Sequence, residues 1–98
     1  MPEFILVVRP PRPTFVEDST PEEQAIIGEH FRYLKLNFEQ GKVRFVGRTE
    51  CGEFGIAVFS AASIEEAEEF ATNDPAIKAG LFSKEVLPFL TVFSPEDR

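Results

Sequence analysis

Tryptophan is absent from this chain, and cysteine, histidine, tyrosine and methionine occur once each. The lone cysteine, Cys51, excludes an internal disulfide. It falls in a glycine-containing turn, without the clustered His and Cys partners that a zinc site takes, and a free thiol fits a reducing cytoplasm. No apolar run approaches the roughly 20 residues of a membrane-spanning helix. The first residues lack a basic segment, and Phe4–Val8 is too short an apolar core for a signal peptide, so none is expected. Basic residues are also scarce: 10 Lys and Arg stand against 17 Asp and Glu, a formal charge of −7. That balance argues against nucleic acid or an anionic membrane as partner, since both require a basic face. No repeat, low-complexity tract or internal linker is evident.

What is present is one domain's worth of chain. At 98 residues the expectation is a single domain over residues 1–98 with a modest core, a size at which association often adds stability. Eleven phenylalanines supply much of that core. The longest patterned stretch, Thr20 to Gly41, reads as an amphipathic helix. Thr20 is an N-cap, Pro21 fits the first helical position, and Glu23 completes a capping box. Gly41 ends the helix. Ile27, Phe31, Leu34 and Phe38 follow helical spacing as the buried stripe. His30 then lies about 80° from the middle of that stripe, within an apolar arc that includes Ile26 and Tyr33. It is either a core-edge histidine with a backbone partner or a general acid or base at a pocket wall.

Before this helix, Phe4-Ile5-Leu6-Val7-Val8 is a continuous β-prone run, the mark of a strand buried on both faces. Arg9-Pro10-Pro11-Arg12-Pro13 ends it and favours an extended loop, which Thr14–Ser19 carries to the helix. Arg9 and Arg12 are either solvated charges on a stiff loop or a clamp for a carboxylate or enolate, which guanidinium binds bidentately. After Gly41, Val43–Gly47 reads as the second strand and Thr49–Glu53 as a turn in which Gly52 supplies the unusual backbone angle. Phe54–Phe59 reads as the third strand, again apolar on both faces. Ser63-Ile64-Glu65-Glu66 opens a second helix as a capping box. Its buried stripe is Ala67, Phe70 and Ala71, while Glu65, Glu66, Glu68 and Glu69 form a solvated face. Asn73-Asp74-Pro75 stops that helix. Pro75–Ala79 makes one further short turn, ended by Gly80. Val86–Phe93 is the last strand, placed at a sheet edge by Pro88, and Ser94–Arg98 is a polar tail.

The order β-α-β-β-α-β is the ferredoxin-like α+β arrangement. The two runs that are apolar on both faces occupy its central strands, and the proline-bearing strand lies at an edge. Both helices cover one face of the sheet. The other face carries no polar alternation in its central strands. A two-fold homodimer with sheets face to face is therefore expected.

Several of these segments together resemble the YCII-related (YciI-like) family. They are His30-Phe31-Arg32-Tyr33-Leu34 with Gly41-Lys42-Val43, Ser63-Ile64-Glu65-Glu66-Ala67, Asn73-Asp74-Pro75, Ala79-Gly80 and Pro88-Phe89. The resemblance runs from about Phe4 to Phe93. It implies a dimeric α/β-barrel of two ferredoxin-like protomers and a cleft in which His30 and Asp74 lie together. Related folds host lactone isomerases, dehydrochlorinases of hydroxylated aromatics, cofactor-light monooxygenases and binding modules, so the fold does not decide the activity. The chain departs from the family pattern twice. Gly47-Arg48 stands where many members have Gly-Pro, and the loop after the first strand is longer and richer in proline and arginine. Both departures fall at the rim of the implied pocket.

Asp74 before Pro75 is also a good N-cap for the short turn that follows, and a carboxylate has acceptor sites for both roles. If it accepts from one nitrogen of His30, it fixes the tautomer and leaves the other nitrogen to act as base or acid. No Ser or Cys stands in a nucleophile motif, so proton transfer is favoured over acyl transfer. Arg9 would hold a developing oxyanion. Tyr33 would line the same wall or pack in the core. The resulting expectation is a small lyase or isomerase acting on an oxygenated or anionic small molecule, with no metal or organic cofactor. The other reading is a non-catalytic metabolite-binding module.

Overall fold

The computed structural model describes residues 1–98. Four strands, β1 (Glu3–Arg9), β2 (Val43–Arg48), β3 (Gly55–Ser60) and β4 (Ser83–Phe89), form one antiparallel sheet in the order β2-β3-β1-β4. The helices are α1 (Phe15–Asp18), α2 (Pro21–Glu39), α3 (Ile64–Thr72) and α4 (Pro75–Lys78), with a 3-10 turn at Pro95–Asp97. This is the ferredoxin-like βαββαβ topology, with two short helices added at the ends of α2 and α3.

Alternation along the strands decides which residues meet the helices. Phe4, Leu6 and Val8 of β1 are buried in one core with Ala57 and Phe59 of β3, Val43 of β2 and Val86 of β4. Leu34, Ala67, Phe70 and Ala71 come down onto them from α2 and α3. Phe59 and Phe70 lie 4.5 Å apart ring to ring, and Tyr33 stacks on Phe70 at 5.2 Å. Full burial of a large side chain such as Phe59 or Leu6 is worth about 1.5–3 kcal/mol, so these contacts fix how α2 and α3 sit on the sheet.

The cap of α2 is the one its sequence specifies. Thr20 accepts from the Glu23 backbone N–H, and the Glu23 carboxylate accepts from the Thr20 N–H. The buried stripe, however, is rotated from its expected place. Phe31 and Phe38 are half exposed. The inward residues are Ile26, Ile27, His30, Tyr33, Leu34 and Asn37, which puts His30 on the stripe and not beside it. At α3, Ser63 caps the Glu66 N–H as expected, but the Glu66 carboxylate reaches the N–H of Ala62 instead of Ser63, so the box is not closed on itself. Glu66 and Glu68 also pair with Lys42 and Lys84.

The last strand begins and ends earlier than its apolar run. β4 covers Ser83–Phe89, and its final pair is Phe89 opposite Glu3. Leu90–Phe93 lie beyond the start of β1 and have no strand to bond to. Pro88 stands opposite Phe4 in this edge strand. Thr91 ties the departing chain back, donating to Glu3 and accepting from Arg44. Ile5, Val7, Ile56, Val58, Phe45, Leu87 and Phe89 make up the apolar part of the face away from the helices, as the strand registers place them.

Candidate functional site

His30 and Asp74 meet in the interior. Nδ1 of His30 lies 2.9 Å from Oδ1 and 2.8 Å from Oδ2 of Asp74. His30 comes from the middle of α2. Asp74 is delivered by the break between α3 and α4, where Pro75 forces the preceding backbone out of the helical region. Asp74 accordingly has φ −64° and ψ 127°, and its Oδ1 accepts the Ala76 N–H at 2.8 Å. The carboxylate is fully buried and His30 nearly so. An interior carboxylate is tolerable only when its oxygens are bonded, and here both are. A carboxylate accepts, so the proton shared with it belongs to Nδ1, which leaves the lone pair of a neutral ring on Nε2. Nε2 has no protein partner and is not a sealed polar atom.

It reaches a cleft of about 400 Å³, within the range of roughly 300–1,000 Å³ usual for small-molecule sites. Leu6, Val8 and Ala57 of the sheet form its floor. Ile27, His30, Phe31 and Leu34 of α2 form one wall, and Phe15, Phe54 and Phe82 close other sides. The imidazole sits between Phe31 and Phe82, with ring centroids 5.2 and 5.3 Å away. Phe82 in turn meets Phe15 edge-on at 5.8 Å. The mouth is narrowed where α1 meets the β2–β3 turn. Gly52 has φ +75°, and a Cβ there would run into Cγ2 of Val16.

The other three residues singled out in the sequence do not line this cleft. Val8 points into it, so alternation turns Arg9 to the opposite face, where it approaches Glu85 at 3.5 Å. Arg12 is committed to the protein's own carboxylates. It makes a two-pronged pair with Glu23 at 2.7 and 2.9 Å and reaches Asp18 at 2.8 Å. It therefore clasps the α1 segment to the start of α2 and lies over the Phe15 ring. The Arg12 bond holds the Glu23 carboxyl down to about 2, while the Thr14 hydroxyl and then Arg12 lower that of Asp18. Tyr33 donates to the Phe70 carbonyl at 2.7 Å. Burial, with Asp74 and Glu69 near, pushes its hydroxyl up to about 12, so it stays protonated in the core. Nothing in the sequence marks Phe15 or Phe82 as pocket residues; Phe15 falls in the expected loop but is buried in a one-turn helix. Arg48, noted as a departure at the rim, does line the cleft. No three side chains of His, Cys, Asp or Glu gather where they could hold a metal ion, and no helix is long and apolar enough to cross a membrane.

The model of the YCII-related domain matches residues 4–90. The chain belongs to the YCII-related family. No curated protein matches it. Among solved structures, it is similar to 5-chloro-2-hydroxyhydroquinone dehydrochlorinase from Burkholderia phenoliruptrix AC1100, determined in complex with 2,5-dihydroxybenzoquinone. Identity is 24%, the match covers 89% of this chain and 93% of the dehydrochlorinase, and the TM-score is 0.64. At that identity the likeness establishes the fold. The YCII-related chain therefore shares its architecture with that dehydrochlorinase, and a shared fold does not fix an activity.

Proposed function

We propose that this YCII-related protein is a small lyase or isomerase that works by proton transfer at Nε2 of His30. The observation that carries this reading is the pairing of Nδ1 with both Asp74 oxygens while Nε2 is left unpartnered at an apolar cleft. Nε2 takes a proton from an activated C–H of an oxygenated substrate, and the electron pair moves into the adjacent carbonyl to give an enolate. Asp74 stabilises the imidazolium. The enolate either regains the proton at another atom or expels a leaving group from the neighbouring carbon. In isomerisation the proton returns to the substrate; in elimination the leaving group departs with its bonding electron pair and the imidazolium proton passes to it or to solvent, so neither branch changes the overall oxidation level or calls for a cofactor. The phenylalanine walls suit a flat ring, and the structurally similar dehydrochlorinase was solved with such a ring, 2,5-dihydroxybenzoquinone.

We infer also that two copies mate through the sheet faces away from the helices, where Ile5, Val7, Ile56 and Leu87 remain partly exposed although Val58 beside them is already buried.

The catalytic reading is tested in D2O with a panel of oxygenated small acids and hydroxylated aromatics, followed by NMR. Exchange or elimination should occur with the native protein and vanish in His30→Gln. Ligands that raise the melting temperature without exchange or product would instead make the cleft a binding site for a metabolite. Activity unchanged in His30→Gln would reject the role of the imidazole.

A further inference from the structure

The cleft contains one permanently charged side chain. Of its lining residues only Ser19, Gln24, His30 and Arg48 are polar, and no carboxylate is among them. In a chain with 17 acidic and 10 basic residues, this concave surface carries no carboxylate and one arginine. Arg48 is also differently engaged from the arginines around it. Arg9, Arg12, Arg32 and Arg44 each lie within ion-pair distance of a carboxylate, on Glu85, Asp18 and Glu23, Glu29, and Glu3 respectively. Arg48 has no such partner. Its Nη1 donates instead to the carbonyls of Thr49 and Glu50, both at 3.0 Å. Two neutral carbonyls orient the guanidinium without neutralising it, and its Nε and Nη2 donors remain unbonded.

We propose that Arg48 is the specificity-determining residue of the cleft and that it selects a small anionic substrate, a carboxylate or an ionised phenol or enol. The inference rests on the proton-transfer reading of His30 for what becomes of the substrate, but the selection itself is a binding property. An arginine edge offers two parallel N–H donors, the geometry that a carboxylate accepts. The need for such a group is electrostatic. With a neutral imidazole the His30–Asp74 pair carries the charge of Asp74, which repels an anion entering beside it. Arg48 offsets that repulsion from the rim. Apolar walls then strengthen the attraction by keeping water away from it.

The probes that isolate charge from shape are 4-hydroxybenzoate and 4-hydroxybenzamide, which match in size and differ by one charge. Chemical-shift titration of the native protein should show the benzoate binding roughly tenfold or more tightly than the amide, with the preference shrinking as salt is added. The shifting amides should include those around His30 and Arg48. Arg48→Gln should remove the preference while leaving the thermal midpoint unchanged, and Arg48→Lys should restore part of it. Equal binding of the two probes, binding of neither at millimolar concentration, or a preference that survives Arg48→Gln would each overturn the assignment. His30→Gln separates the two levels. Loss of proton exchange with the anion preference intact supports both readings. A preference that ignores Arg48, together with exchange that needs His30, defeats the selection and leaves the chemistry standing.

Discussion

Asp74 holds two structures at once: its carboxylate bonds the Nδ1 of His30 through both oxygens and the Ala76 N–H through one. It is the cap of α4 and the partner of the imidazole, and it is fully buried. Removing His30 therefore strips a buried carboxylate of its main partner. Breaking a buried pair from one side costs roughly 3–5 kcal/mol, a large share of the roughly 5–15 kcal/mol that a domain possesses. His30→Ala should unfold at a markedly lower urea midpoint than the native chain. His30→Gln, which keeps an N–H donor, should lose clearly less. Equal losses in the two variants would show that Asp74 does not depend on a donor from α2.

Asp74→Asn makes a sharper prediction about the proton. The Ala76 N–H needs an acceptor and takes the amide oxygen, so the amide N–H faces the imidazole. Nδ1 must then accept, and the ring proton moves to Nε2. Nitrogen-15 NMR of His30 should show Nδ1–H in the native protein and Nε2–H in Asp74→Asn at a pH where the ring is neutral. Turnover should fall by roughly 100-fold or more, the usual worth of a general base, with the fold retained. A tautomer that does not change would mean that Asp74 does not set the proton's position.

The fold was legible because its signals are local and redundant. The capping box at Thr20, the Asp74-Pro75 break and the two doubly apolar strands each point to one element, and together they leave a single familiar topology. The pair itself was reached only through family resemblance, since 44 residues separate His30 from Asp74 and no periodicity links them. Periodicity failed where an apolar side chain was assumed to be a core side chain. Phe31 lines a cleft and Phe38 is half exposed, so the buried stripe is centred on His30 and not about 80° from it, although the apolar arc with Ile26 and Tyr33 already held the imidazole. The place of Arg9 and Arg12 at a strand end fits either solvated charges or an anion clamp. Strand alternation sends the first to the wrong face, and two acidic residues on α1 and α2 claim the second. Leu90–Phe93 looked like strand because strand propensity does not reveal whether a neighbouring strand is long enough to pair.

The Arg12 clasp should be sensitive to acid in a defined window. Glu23 is held at about 2, well below the ordinary glutamate value of 4.5, chiefly by the Arg12 bond and then by the Thr20 N–H. A depressed carboxyl stabilises the fold above its unfolded value, and the contribution is lost as pH falls from there through the native value. The clasp should thus be intact above about pH 4.5 and be released progressively toward about pH 2. Side-chain NMR of Glu23 should report a low midpoint that returns toward the ordinary range in Arg12→Ala. Amide exchange across Phe15–Asp18 should accelerate in that variant even at neutral pH. A midpoint for Glu23 that is the same in both proteins would place the cause at the helix cap alone.

Leu87 offers the decisive test of the mated sheets. It stands opposite Ile5 on the face away from the helices and is 44% exposed in the single chain. In a two-fold contact one substitution is felt twice. Only the exposed 44% of each leucine is left for a partner to bury, so each loss removes about 1 kcal/mol, and a lysine adds the cost of desolvating a charge. Two such sites weaken a dimer by at least roughly tenfold, since each factor of ten is about 1.4 kcal/mol. Light scattering at micromolar concentration should give twice the chain mass for the native protein and the single mass for Leu87→Lys. Leu36→Lys, at a site 52% exposed on α2, should leave the dimer unchanged. A native protein that runs as a monomer would reject the sheet-to-sheet contact and leave the apolar face to be explained by the chain that crosses from β4 toward Arg44.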